Sequence, residues 1–139
     1  MADEKVELSR KGYEAYNRDG PYAILQFLDP EVEWGTPEQG TEGFYHGHGG
    51  VRKFLDDFFE VFEEAQIDPE EFIDAGDRLL VPFRFRAKAK GSGLEIEEHW
   101  VHVWTIRGGK AIRLEQYTER AAALEAVGLR DQETRTARD

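Results

Sequence analysis

The residues best suited to chemistry lie in one short stretch, HWVHVWTIR, at positions 99–107. Successive side chains of an extended strand point to opposite faces, so Trp100, His102 and Trp104 share one face. An imidazole in such a place can act as a general acid or base, because burial can tune its pKa. The alternative is a histidine that is hydrogen-bonded within an ordinary core. The pattern therefore predicts either a pocket with His102 as its acid/base candidate or a packed core.

A second group of histidines, in His46-Gly47-His48, raises the question of a metal site. Two loop histidines could chelate an ion if His99 or His102 completed the set. His99 falls on the opposite strand face from His102, however, and no complete ligand spacing is present. The chain has no cysteine, which excludes disulfides and thiolate ligands, and it has no glycine-rich phosphate-binding motif. We therefore predict neither a metal nor a cofactor.

The composition restricts the classes of partner. A chain of 139 residues, of which 40% are apolar, is long enough for one domain with its own core. A net charge of -11 argues against nucleic acid and against anionic membrane surfaces, since both need a basic footprint. No long apolar window and no apolar signal region are present. We expect no nucleic-acid partner, no membrane partner and a cytoplasmic location.

Apolar spacing predicts helices in the first part of the chain. It predicts a helix over residues 3–18, a short helix after Pro21 and a short strand over 31–34. The clearest pattern runs over 51–62, where apolar residues follow the i, i+3, i+4, i+7, i+8 spacing of an amphipathic helix.

From residue 66 the apolar period changes to two, which predicts strands. Long strands are expected over 94–106 and 111–118, joined by a tight hairpin at 107–110 and followed by a short helix over 121–127. Helices first and a strand meander afterwards predict an α+β domain, with helices packed on one face of an antiparallel sheet.

The order of four segments resembles the SnoaL-like family of the nuclear-transport-factor-two-like superfamily, which includes ketosteroid isomerases and polyketide cyclases. The segments are YEAYNRDG, LDPEVEW, YHGHGGVRKFLDDFFEVFE and HVWTIRGGKAIRLEQYTERAAALEAVGL, and the similarity spans residues 3–129. The resemblance implies a cone-shaped α+β roll, in which helices pack on a strongly bent antiparallel sheet around a deep apolar pocket. It also implies a homodimer through the outer sheet face. The domain is then 1–129, and we expect the polar segment 130–139 to be a flexible tail.

The catalytic sets of similar enzymes are only partly present. The strand histidine of SnoaL-like polyketide cyclases falls on His102, but their acid/base aspartate falls on Gln116, whose amide cannot exchange protons at neutral pH. The base aspartate of ketosteroid isomerases falls on Trp34. Their enol-stabilising tyrosine belongs to the helix that contains Tyr13 and Tyr16, and the resemblance does not choose between these two.

Limonene-epoxide hydrolases, a third similar group, use an aspartate two positions from an arginine on a middle strand. The matching segment here is Arg84-Phe85-Arg86, which has no acid. Cross-strand pairing of the two arginines with Glu95 and Glu97 is the favoured interpretation.

Each known catalytic set thus lacks at least one group, which leaves two explanations. The chain could use a different set, such as His102 with Tyr16 or with Glu119, or it could bind without turnover. Glu119 could instead cap a helix or pair with Arg120 at the surface, and we favour this surface role.

We expect the chain to bind a small, largely apolar organic molecule in the pocket. The residues expected to line the pocket are Tyr16, Trp34, Phe58, Trp100, Trp104, His102 and Gln116. An alternative is a cofactor-free isomerase or polyketide cyclase-like enzyme that uses His102 as acid/base. A further alternative is an interaction protein that uses the outer face of its sheet and whose pocket is incidental.

Overall fold

The structure, a computed structural model, describes residues 2–37 and 43–129, so the predicted tail lies outside the described residues. The helices are α1 (Ala2–Asp19), a 3-10 helix (Pro21–Phe27), α2 (Gly47–Val61) and α3 (Arg120–Ala126). The strands are β1 (Leu28–Gly35), β2 (Phe44–His46), β3 (Phe62–Pro69), β4 (Ile73–Ala75), β5 (Arg78–Ala89), β6 (Glu95–Arg107) and β7 (Lys110–Tyr117). Within the described ranges, no helix is both long and apolar enough to span a membrane.

The strands form one curved, open sheet in the order β2-β1-β7-β6-β5-β3, with β4 paired to β5. Neighbouring strands are antiparallel except β1 and β7, which run parallel. The predicted α+β class is confirmed, but the prediction of an entirely antiparallel sheet is wrong for this pair. The chain between β1 and β7 contains a helix and several strands, so it is long enough to return in the same direction.

Most predicted elements form close to their expected ends. β6 and β7 each lie within one residue of the predicted strands. The helix predicted over 51–62 begins earlier, at Gly47, and ends at Val61, so Phe62 opens β3 instead. The short helix after Pro21 is a 3-10 helix. The sequence did not reveal β4, because three residues are too few to show a period.

The sheet separates two hydrophobic clusters. On the inner face, α1 and α2 pack against buried side chains that include Trp34, Phe83 and Trp104. On the outer face, α3 covers a smaller cluster that includes Leu80 and Val103. The side chains of β6 therefore alternate as predicted, since the tryptophans face inward and the valines between them face outward.

The outer face beyond α3 is charged, and its ion pairs differ from those predicted. Arg86 Nη2 lies 2.7 Å from Asp68 Oδ2, and Arg84 Nη2 lies 3.4 Å from the same oxygen. Of the predicted partners on β6, Glu97 does lie directly opposite Arg86 in the strand register, and Glu95 lies opposite Lys88, but the ion pairs of the two arginines are with Asp68. β5 lies between β3 and β6. The prediction considered only β6, the strand that follows β5 in the chain, and therefore missed Asp68 on β3.

Candidate functional site

A cavity of about 30 Å³ lies between the inner sheet face and the helices α1 and α2. Its lining side chains are Tyr16, Trp34, Phe54, Leu55, Phe58, Ile67, Phe83, Phe85, Trp100, His102 and Gln116. Six of the seven residues that the sequence assigned to a pocket are among them. The walls are mainly aromatic, and the space as the side chains stand would hold about two water molecules.

Trp104 does not line this cavity, in contrast to the prediction. It shares the inner face with Trp100 and His102, but it lies further along β6, beneath α1, where it is fully buried. Gly12 of α1 makes this packing possible, since a Cβ atom there would lie 3.2 Å from Trp104 Cη2. The alternation along the strand predicted which face of the sheet Trp104 lies on, but not whether that part of the face borders the cavity.

Trp104 instead begins a hydrogen-bonded chain that passes through Tyr13. The indole Nε1–H donates to Tyr13 Oη at 2.8 Å, and Tyr13 Oη lies 2.8 Å from His102 Nδ1. The tyrosine oxygen accepts the indole proton, and the hydroxyl can donate its own proton to His102 Nδ1, which leaves Nε2 to donate to the acceptor Gln116 Oε1. We therefore assign the proton of His102 to Nε2, where Gln116 Oε1 accepts it at 3.3 Å.

Burial determines the protonation states of the hydrogen-bonded Tyr13 and His102 side chains. It lowers the pKa of His102 to about 3, and the Gln116 hydrogen bond opposes this effect only in part. Burial also raises the pKa of Tyr13 well above its usual range, against a smaller opposing effect of the Trp104 hydrogen bond. At neutral pH the imidazole is uncharged, its Nδ1 accepts from Tyr13 and its Nε2 carries a proton. Both ring nitrogens of His102 are thus hydrogen-bonded within the protein, and the imidazole offers no free base to the cavity.

Three further polar groups of the cavity have hydrogen-bonding capacity left. Trp34 Nε1 is buried and has no hydrogen-bond partner within the described residues. Gln116 uses its carbonyl oxygen for His102, which leaves its amide N–H groups as donors. Tyr16 lines the cavity, makes no hydroxyl hydrogen bond within residues 2–37 and 43–129, and has its pKa raised by burial. The cavity therefore offers mainly donors.

Of the alternative catalytic sets, His102 and Tyr16 both line the cavity but are not hydrogen-bonded to each other, and Glu119 lies outside the lining. The tyrosine partner of His102 is Tyr13, whereas Tyr16 lies one helical turn further along α1. Glu119 is exposed at the start of α3 and makes no side-chain capping hydrogen bond there. Among the residues that line the cavity none is an aspartate or a glutamate.

The histidines of the possible metal site each have a separate partner. His46 Nε2 lies 3.1 Å from Glu31 Oε1, and His48 Nε2 lies 2.9 Å from the Leu28 carbonyl oxygen. His99, on the outer face, contacts Glu70. Across the part of the chain that the structure describes, no three His, Cys, Asp or Glu side chains come together in a way that could hold a metal ion.

The family model of the SnoaL-like domain matches residues 10–114, and the chain belongs to this family. This confirms the resemblance seen in the sequence. Among curated protein sequences, none matches the chain.

Solved structures share the fold over nearly the whole chain. An NTF2-like protein of unknown function from Burkholderia pseudomallei K96243 is 28% identical, with a TM-score of 0.73 over 90% of this chain and 98% of that one. TerC, co-crystallised with polyporic acid, is 30% identical, with a TM-score of 0.73 over 89% of this chain and 98% of its own. A protein from Jannaschia sp. CCS1 that is assigned as a SnoaL-like polyketide cyclase is 18% identical, with a TM-score of 0.72 over 90% and 92%, which shows the fold alone.

Proposed function

We propose that the chain binds a small, largely apolar organic molecule in the cavity between α1, α2 and the inner sheet face. The observation that carries this proposal is an aromatic lining with a few polar groups gathered near one end, at His102 and Gln116. Ligand sites commonly combine apolar walls with a small number of directional contacts. TerC, which covers most of this chain at 30% identity, was co-crystallised with polyporic acid.

The size of the cavity means that a ligand must displace side chains at its mouth. Phe54, Phe58 and Trp100 are only partly buried, whereas Trp34 and Phe83 behind them are almost fully buried. Rings near the surface have fewer neighbours and can change rotamer at lower cost than rings in the packed interior. We expect the mouth to open between α2 and β6 when a ligand enters.

The alternative proposal is a cofactor-free isomerase or polyketide cyclase-like enzyme. One observation favours it, which is that a neutral imidazole carries an N–H at Nε2 beside the cavity. If a substrate carbonyl took the place of Gln116 Oε1 on this N–H, the imidazole could polarise that carbonyl as an acid, without acting as a base. The reaction would also need a base, and the cavity lining supplies no carboxylate. Because this catalytic base is missing from the described lining, binding without turnover is the better supported function.

The experiment is a fluorescence and thermal-shift titration with polyporic acid, aromatic polyketides, steroids and terpenoids. We compare the wild type with Ile67→Phe, which fills the cavity without removing a side-chain hydrogen bond, and with Leu94→Phe, a matched change at an exposed position. The proposal predicts that a compound binds the wild type and Leu94→Phe but not Ile67→Phe. Equal binding to all three variants would place the ligand elsewhere and contradict the proposal.

Turnover is tested on any compound that binds. The enzyme alternative predicts product formation that is lost in His102→Asn, while the binding proposal predicts an unchanged ligand and retained affinity. Mass spectrometry of the recovered compound separates the two.

We also propose a homodimer through the outer sheet face, on the basis of family resemblance. Sedimentation equilibrium over a range of concentrations measures the mass directly. A mass of two chains supports the proposal, and a single-chain mass throughout contradicts it. The cytoplasmic location stays a prediction.

A further inference from the structure

One residue that lines the cavity, Trp34, carries a buried donor that the described residues do not pair. Trp34 is 3% exposed, and its Nε1–H has no partner among the described residues. A buried N–H without an acceptor is unfavourable, because it loses its hydrogen bond to water and gains nothing in return. Such groups are rare in folded proteins, and one that lines a cavity indicates a place where a ligand atom can complete the pair.

Two more donors lie on neighbouring strands beside Trp34. β1 pairs with β7 in a register that sets Trp34 beside Leu114, and Gln116 follows two residues later on the same face. Gln116 in turn pairs across the sheet with His102 on β6. The Trp34 ring stands edge-on to the His102 ring, with their centroids 6.0 Å apart. Three adjacent strands thus bring three groups to one end of the cavity. These are the indole N–H of Trp34, the amide of Gln116 with its N–H groups unused, and the His102 N–H, which Gln116 Oε1 already accepts.

The remaining lining restricts which acceptor can be bound there. No lysine or arginine lines the cavity, so an anion would lose its hydration without gaining a countercharge. No carboxylate lines it either, so a ligand ammonium group would lose its hydration without gaining a countercharge. A neutral carbonyl oxygen has two lone pairs and no charge to desolvate, and it fits both restrictions.

We infer that this end of the cavity binds a carbonyl oxygen of an otherwise apolar ligand, such as an aromatic ketone or quinone, with Trp34 and Gln116 as the specificity-determining donors. The inference rests on the proposed binding function and narrows its ligand class. It gives Trp34 a role as a hydrogen-bond donor in the position where the sequence resemblance finds the base of related enzymes.

The test uses three bicyclic probes of similar size, which are 1-indanone, indane and 1-aminoindane. Calorimetric or NMR titrations measure their affinities for the wild type, for Trp34→Phe and for Trp100→Phe. The first substitution removes the unused N–H, and the second is the same chemical change at the mouth of the same cavity, where Trp100 stacks on Phe85. Melting curves of each variant establish that it is folded.

We expect the wild type to bind 1-indanone about fivefold or more tightly than indane, and to bind 1-aminoindane more weakly than indane. Trp34→Phe should lose most of the preference for 1-indanone over indane. Trp100→Phe changes an apolar wall, so it should alter the affinities for both compounds alike and keep their ratio. If Trp34→Phe does not fold, Gln116→Met provides the same comparison at the second donor.

Equal affinities of 1-indanone and indane for the wild type, or a preference that survives in Trp34→Phe and in Gln116→Met, would overturn the inference while leaving a binding pocket. Failure of all three probes and of the wider aromatic panel to bind would overturn the proposed function itself. The two failures are therefore distinguishable.

Discussion

Two buried tryptophans on the inner sheet face, Trp104 and Trp34, differ in whether the indole N–H is hydrogen-bonded. Trp104 donates to Tyr13 and thereby holds α1 on β6, whereas the N–H of Trp34 has no partner within the described residues. The side chains are of the same type and almost equally buried. The paired end of the inner face stabilises the fold, and the proposed ligand contacts lie at the unpaired end.

The same contrast exists between two tyrosines of α1. Tyr13 is hydrogen-bonded to both Trp104 and His102, while Tyr16, one turn later, lines the cavity without a hydroxyl partner among the described residues. Helical spacing directs both side chains toward the sheet. The two tyrosines differ in the side chains of the sheet that they contact. Residues of one type that are close in sequence can therefore have different roles.

The largest effect is expected at the paired tyrosine. Tyr13→Phe should lower the free energy of unfolding by about 2–4 kcal/mol, because it leaves the Trp104 N–H and His102 Nδ1 buried without partners. Tyr16→Phe is the matched control and should change the free energy by less than about 1 kcal/mol, since no protein hydrogen bond is lost. Chemical denaturation measures both, and equal losses would contradict the distinction between the two tyrosines.

A slightly smaller effect is expected from pH. The pKa of His102 is lowered to about 3 in the folded state, below its unfolded value near 6.5. The unfolded chain therefore takes up the proton first, so stability that is complete above about pH 6.5 is lost as the pH falls toward about 3. Between pH 6.5 and 4.5 the wild type should lose about 2–3 kcal/mol more than His102→Asn, which does not titrate.

Denaturation curves at several pH values measure this difference between wild type and variant. The subtraction removes the effects of the acidic residues that both proteins share. Parallel pH profiles would mean that His102 is not held neutral by burial.

The two tryptophans provide the third comparison. Trp104→Phe should cost about 2 kcal/mol, since a hydrogen bond and packed ring volume are lost together. Trp34→Phe should change the free energy of unfolding by less than about 1 kcal/mol, because removal of an unpaired N–H offsets the lost volume. Thermal and chemical unfolding of both variants measure the difference. A larger cost at Trp34 would show that its N–H has a partner after all.

The smallest effect concerns the glycine beneath Trp104. Alanine is favoured over glycine inside a helix by about 1 kcal/mol. Gly12→Ala should give no such gain in the wild type, because the new Cβ would lie 3.2 Å from the fixed Trp104 ring. In a Trp104→Phe background, which removes that ring atom, the gain should appear. The same gain in both backgrounds, measured as a double-mutant cycle, would contradict this packing argument.

The sequence predicted those features that depend on local periodicity. The helical pattern around Phe54 and Phe58, and the alternation around His102, depend on neighbours along the chain, and these features formed as expected. The family resemblance added the strong bend of the sheet. Whether Gln116 faces His102 was left open by the sequence, and the strand register brings the two residues opposite each other.

The remaining features depend on residues that are far apart in sequence. Tyr13 could not be chosen over Tyr16, because both occupy the sheet-facing side of one helix. Asp68 could not be predicted as the partner of Arg86. Asp68 lies on β3, which precedes β5 in the chain, whereas the sequence pattern indicated only the pairing of β5 with β6. That Trp34 lacks an acceptor follows only from the positions of all its neighbours, and no local pattern encodes it.

The most direct test of the account is a two-dimensional ¹⁵N–¹H NMR titration of the indole N–H signals with 1-indanone. The chain has three tryptophans, so three signals are expected, and the Trp→Phe variants assign them. We predict that the Trp34 signal shifts downfield and saturates with 1-indanone but not with indane, while the Trp104 signal stays in place. A Trp34 signal that does not move while 1-indanone binds, or a Trp104 signal that moves as far, would contradict the division between a paired and an unpaired end.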